Sequence, residues 1–355
     1  MTGVLDDPLY RELLDASDML GHIRSFAGQI EMAWQRVHEV LEPPKTNPSN
    51  IVILGMGGSA IGGDIARSLA QETAKIPIIV HRDYGVPACV DSSSLVIAVS
   101  HSGNTEETIS GFEEAHKKGA MLFVIASGGK LIELAQQLGV PHFRYECSAP
   151  PRASLGFLLT PILALMKSVG VYQVDDGLIS EAVYRLRELQ TELDADTPSE
   201  SNRAKQLAMR IHGHIGLILA SSPLTAVARR WKTQMNENAN AACFFEELPE
   251  MCHNTVVGLD HPSRLNGAVF VIMLRSSFSH ERNKLREDIV AGLLKNTGVQ
   301  CEQVSVNSAD HPLCEALQLI MLGDFVSYYL ALLNRVDPTA IVNIDYLKAR
   351  LQKQG

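Results

Sequence analysis

Between residues 51 and 144 the chain alternates short, unbroken apolar runs with segments whose apolar residues recur every three or four positions. The runs predict strands at Ile51 to Leu54, Pro77 to His81, Leu95 to Val99, Met121 to Ala126 and His142 to Arg144. The periodic segments predict helices at Ser59 to Gln71, Glu106 to Lys118 and Lys130 to Leu138, with Ser154 to Val169 closing this half. Strands that are apolar on both faces and mostly followed by helices form a parallel sheet covered on both sides. Ahead of them, Leu13, Ile23, Phe26, Ile30, Met32, Val37 and Leu41 recur at helical spacing until Pro43-Pro44. They predict one or two helices packed on the domain that follows.

A polar amphipathic segment, Leu178 to Leu193, leads into a second pass of the same kind. Its strands are expected at Ile215 to Ala220, Cys243 to Phe245, Val269 to Met273 and Cys301 to Val304, ending in helices at Leu313 to Leu333 and about Tyr346 to Gln352. HIGLILASSPLTAVARRW repeats the strand, small-residue turn and helix of NIVILGMGGSAIGGDIAR, which reads as a duplicated α/β domain. A chain of 355 residues exceeds the usual size of one core, and the expected division is 1–45, 46–170 and 171–355.

Composition adds little but excludes something. A formal net charge of −9 argues against a nucleic-acid surface, although an acidic protein still holds a phosphate through local donors. The start lacks a basic flank and a long apolar core, no later run is expected to reach the length of a membrane span, and the six cysteines stand without a CxxC pair. Reduced thiols in a cytoplasmic protein fit this best.

The turns carry the chemistry. SHSGNT, Ser100 to Thr105, stands between an apolar run and a helix start, and so does the glycine-serine turn in IVILGMGGSAIGGD. A helix N-terminus offers unpaired N–H groups and the positive end of the helix dipole. Ser100, Ser102 and Thr105 add hydroxyls, and Gly103 lets the backbone approach a bound oxygen. Ordinary N-capping explains either turn alone; two at the same end of one sheet make an anion site. Gly55, Gly57 and Ala60 also fit a dinucleotide fingerprint, but the second strand runs into His81 and Arg82 with no acidic residue at its end. Arg152 in APPRASLG, Glu237 in MNENANAA, His253 in EMCHNTV and Lys348 in IDYLKARL each pass locally for a surface or structural residue. His212 and His214 lack a third ligand of matching spacing, so no metal site is read.

Taken in order, GMGGS, SHSGNT, PPRASLG, NENAN, a histidine sixteen residues after its glutamate, and DPTAIVNIDYLK resemble the bifunctional phosphoglucose/phosphomannose isomerases of the sugar isomerase (SIS) fold. The likeness runs from about residue 20 to 352. It implies two SIS-type domains, each a mainly parallel sheet flanked by helices, with N- and C-terminal helices packed on them. It implies Gly58, Ser59, Ser100, Ser102 and Thr105 as the cradle of a sugar 6-phosphate, Glu237 as base, Arg152 as the cation facing the intermediate, and His253 and Lys348 as ring-opening groups. Thr339 matches the threonine that leaves room for either configuration at carbon 2, so glucose and mannose 6-phosphates would share one site. In such enzymes the histidine comes from the neighbouring subunit, which implies a homodimer; no cofactor and no metal is implied.

Two positions depart from the pattern: Ala340 follows Thr339 where relatives often have proline, and His101 replaces a frequently aromatic residue, its side chain expected to point away from the phosphate. A non-catalytic SIS protein that senses sugar phosphates would keep the SHSGNT cradle and have no need of Glu237.

Overall fold

The computed structural model describes residues 2–41, 46–258, 261, 265–306 and 310–351. The chain separates into two compact units, one made of Arg24–Arg187 with His311–Cys314 and the other of Met1–Ile23, Glu188–Asp310 and Glu315–Gly355.

The first unit holds β1 (Asn50–Leu54), β2 (Ile78–His81), β3 (Ser94–Ser100), β4 (Met121–Ala126) and β5 (His142–Arg144), all parallel, in the order β2-β1-β3-β4-β5. Every residue of β1 and β3 is buried, which explains why these strands read as continuous apolar runs. Helices Glu106–Lys117 and Gly129–Leu138 bring Phe112, Leu131 and Ala135 against Val52, Leu54, Val96 and Ala98. Helix Gly57–Ala70 packs against helix Leu155–Ser168, which is joined in turn by Phe26–Val37. From β1 the chain crosses to β2 on one side, then returns to β3 on the other. That reversal opens a crevice beyond the carboxyl ends of β1 and β3, where open α/β sheets bind ligands.

The second unit holds β6 (Ile215–Ser221), β7 (Cys243–Leu248), β8 (Val269–Leu274) and β9 (Gln300–Val304), parallel, in the order β7-β6-β8-β9. Replacing β1 to β4 by β6 to β9 gives the same order, as the internal repeat predicts. Helices Thr225–Ala239 and Pro312–Asn334 are tied by Trp231 Nε1–H, which donates to Leu319 O at 2.8 Å, and by the buried Arg230–Asp324 ion pair at 2.7 Å.

The structure departs from the sequence reading at three places. The N-terminal stretch is four helices, Thr2–Leu5, Pro8–Leu14, Met19–Arg24 and Phe26–Val37, because the Asp15 carboxylate caps Met19 and Leu20 at 2.7 and 3.0 Å and Asp18 turns with φ 56°. Its first part belongs with the second sheet, held by Asp6 on Lys205 and Ser199, so only the later part packs on the domain that follows. β7 continues past Phe245 to Leu248, pairing Glu246 with Leu219 at the sheet edge, where polar residues hide the strand from an apolar search. Finally, helix Pro312–Asn334 is long and apolar enough to cross a membrane, against expectation, yet 94% of its most apolar window is buried inside the protein. Its composition is that of a core helix.

Candidate active site

Beyond β1 the backbone turns at Met56 and helix Gly57–Ala70 begins without any side-chain cap. The Ser59 N–H is taken by Met56 O at 2.9 Å, and the Gly57 and Gly58 N–H groups stand at the positive end of the helix dipole with no side-chain cap from Met56. A side chain at Gly58 would meet Pro151 C and Arg152 N at 3.0 Å, so glycine is what lets this N-terminus lie against the turn Pro151–Ala153. Arg152 rides on that turn, 2% exposed, and is thereby placed beside the glycine-serine turn.

β3 runs past the end of β1 and delivers the SHSGNT loop. Ser59 is buried, and its Oγ accepts the His101 N–H at 3.0 Å. Ser100, fully buried, accepts the Gly103 N–H at 3.1 Å and lies 2.9 Å from Thr105 Oγ1. Exposed Ser102 accepts the Asn104 N–H at 3.2 Å. A hydroxyl has one proton to give and two lone pairs to receive with. In Ser59 and Ser102 a backbone amide takes a lone pair and the O–H proton is kept; the Ser100–Thr105 pair uses one proton internally and keeps the other. Thr105 is the N-cap of helix Glu106–Lys117 but makes no side-chain cap bond, so the second helix N-terminus is uncapped as well.

Gly103 has φ +69°, a left-handed conformation that favours glycine. The loop also caps its neighbour, since Lys130 N–H donates to Asn104 Oδ1 at 3.0 Å and Leu131 N–H to Gly103 O at 2.9 Å. The structure thus brings Gly58, Ser59, Ser100, Ser102, Thr105 and Arg152 together in the first unit.

The dinucleotide reading fails on the same geometry. Arg82 follows β2 and pairs with buried Asp64 of helix Gly57–Ala70, while Asp83 Oδ1 accepts its neighbour Tyr84 N–H at 2.8 Å. No carboxylate ends β2 to receive a ribose hydroxyl.

A model described as the bacterial phospho-glucose isomerase C-terminal SIS domain matches residues 200–351, and the SIS domain model matches residues 46–135. The bifunctional phosphoglucose/phosphomannose isomerase of Caldicellulosiruptor bescii is 40% identical over 304 residues, covering 85% of this chain and 89% of that protein. Its counterpart in Aquifex aeolicus is 37% identical over 335 residues, covering 94% and 98%. The chain belongs to the bifunctional phosphoglucose/phosphomannose isomerase family. Among solved structures, a hypothetical protein from Thermus thermophilus shares the fold with a TM-score of 0.76 at 17% identity, over 99% of this chain and 95% of that one.

In this phosphoglucose/phosphomannose isomerase family chain the remaining singled-out residues lie in the second unit. Glu237 is half-buried, three residues from the left-handed C-cap Asn240 of helix Thr225–Ala239. His253 is exposed at the end of the short 3-10 helix Glu250–His253, and Lys348 is exposed on helix Val342–Leu351. Thr339 is half-buried in the preceding loop, its N–H donating to Asp337 Oδ1 at 2.7 Å.

Sequence reading missed three residues that shape the SHSGNT loop and its surroundings. Ser127 donates from Oγ to His101 O at 2.5 Å, Tyr145 bonds the His101 ring, and Asn104 caps the next helix. Their partners are set by strand order, and no local pattern announces them.

Proposed function

We propose that this chain is an aldose–ketose isomerase that interconverts glucose 6-phosphate and mannose 6-phosphate with fructose 6-phosphate through a cis-enediolate. The observation that carries the reading is the hydroxyl arrangement at Ser59, Ser100, Ser102 and Thr105, which retains donatable protons beside two uncapped helix N-termini. Donors of that kind suit a phosphate, whose binding energy fixes the reacting carbons in place.

Moving one proton between adjacent carbons needs a single carboxylate reaching both, and Glu237 is assigned that role. It takes the proton from carbon 2 as the carbon 1–carbon 2 double bond forms. The same proton returns to carbon 1, while another passes from the oxygen of carbon 2 to that of carbon 1. Arg152, whose guanidinium stays charged, stabilises the oxyanion that forms between these steps. His253 and Lys348 open the sugar ring, Thr339 leaves room for either configuration at carbon 2, and Gly58 lets the phosphate approach the helix N-terminus. The reading includes a cytoplasmic homodimer in which the histidine serves the neighbouring subunit, and a metal-free reaction.

The deciding assay couples fructose 6-phosphate formation from each aldose phosphate to an indicator enzyme, with and without chelator. Both substrates are expected to turn over, equally fast with chelator present. Glu237→Gln should lower kcat by about 10²- to 10⁴-fold with fructose 6-phosphate still bound. A wild-type protein that binds the sugar phosphate without turnover would replace this reading by the sensor, and chelator-sensitive turnover would remove the metal-free step.

A further inference from the structure

Residue 101 lies between two cradle serines, and it is anchored at every polar atom of its backbone and at one nitrogen of its ring. Its N–H donates to Ser59 Oγ at 3.0 Å, and its carbonyl accepts both the Ser127 N–H at 3.0 Å and the Ser127 hydroxyl at 2.5 Å. Its ring Nδ1 stands 2.9 Å from Tyr145 Oη. These anchors belong to different elements: the helix after β1, the turn after β4 and the segment after β5.

Tyr145 is a rigid post. It is fully buried, with its ring stacked on Phe157 at 4.9 Å and 13° and on Phe143 at 6.2 Å and 23°. A buried phenol needs a polar partner, and the His101 ring supplies one. In either imidazole tautomer the contact is a hydrogen bond, because the phenol both donates and accepts. Burial lowers the His101 pKa and raises that of Tyr145, so both stay neutral and the tie holds across the neutral range.

We propose that the His101–Tyr145 hydrogen bond is a positioning device for the phosphate cradle, fixing the backbone between Ser100 and Ser102 and, through the His101 N–H, the direction of the Ser59 hydroxyl. One of the two residues that hold this loop open for an anion, Tyr145, then lies outside the SHSGNT motif itself. Position 101 is a determinant of phosphate affinity, and it touches no reacting atom. The inference rests on the sugar-phosphate reading of the cradle.

The test uses the full-length protein and two probes, inorganic phosphate and fructose 6-phosphate, by titration calorimetry alongside steady-state kinetics. Tyr145→Phe deletes one oxygen and leaves the ring stack in place; His101→Leu removes the other partner. His101→Asn returns a polar atom near the position of Nδ1. Tyr145→Phe and His101→Leu are each expected to raise Kd for both probes, and KM, by about five- to tenfold with kcat little changed. His101→Asn should recover most of that loss, and the recovery should vanish when combined with Tyr145→Phe. An unchanged Kd in Tyr145→Phe, a fall confined to kcat, or a His101→Asn protein as weak as His101→Leu would each overturn the proposal. If wild-type protein binds inorganic phosphate and turns over no sugar phosphate, the isomerase reading fails while the phosphate titrations still judge the tie. If wild type binds neither probe, both are lost.

Discussion

Ser59, Ser100 and Ser102 have the same residue type in different surroundings, and the difference is in what each lone pair and proton is doing. The Ser59 hydroxyl accepts the His101 N–H and keeps its own proton. On the proposed reading, Ser59→Ala removes a donor to the phosphate; it also deprives a part-buried N–H of its acceptor. Loss of one charge-assisted bond is worth about 1.5–3 kcal/mol, so KM for fructose 6-phosphate is expected to rise about tenfold or more, with a smaller change in kcat. Steady-state kinetics measures both. SHSGNT could be found from its composition, since hydroxyls and glycine between a strand and a helix are visible in any window. Which hydroxyl keeps its proton was not legible, because the amides that occupy the lone pairs are placed by the turn, and the turn has no spacing rule.

At the scale of elements, the candidate site is made where two helix N-termini and one 3-10 turn meet at the ends of β1 and β3. Gly58 is the contact point, with backbone atoms of Pro151 and Arg152 at 3.0 Å from where a methyl group would stand. Neither neighbour is a side-chain end that could swing away. Gly58→Ala should therefore destabilise the first unit by about 1–3 kcal/mol through overpacking and push the Arg152 turn outward. Urea unfolding gives the first effect and weakened phosphate binding the second. An alanine protein with unchanged stability and affinity would show that the turn yields freely. The sequence singled out both GMGGS and PPRASLG, separated by about ninety residues of chain, yet held no sign that they touch. Sheet order decides that contact, and periodicity is blind to sheet order.

At the scale of the molecule, the two sheets repeat one order, while the chain's first residues serve the second unit. Lys205 has a fully buried side chain, and its ammonium donates to Asp6 Oδ1 at 2.7 Å and to the carbonyls of Ala195 and Thr197 at 2.7 and 2.8 Å. Partial burial raises the Asp6 pKa, but the bonds from Lys205 and Ser199 outweigh it and hold the carboxyl below its ordinary value of 3.8. A carboxyl lowered in the folded state contributes stability above its unfolded pKa and loses it as pH falls through the folded one. Asp6→Asn should therefore be less stable than wild type at pH 5 to 7, with the gap closing below about pH 4. Urea unfolding across that range checks it, and a gap independent of pH would show that the ion pair is not its source.

The order of elements, the parallel arrangement and the position of the two glycine- and hydroxyl-rich turns were determined by the sequence alone, because burial on both faces leaves a continuous apolar run and a tight turn demands glycine and hydroxyls. Tertiary structure alone decided the division of the N-terminal helices, the polar end of β7, the contact of Gly58 with the Arg152 turn and the bond from Tyr145 to His101. Each of these joins or sorts residues according to the path of the folded chain. A periodic pattern records which face of an element is buried and carries no record of what lies against it.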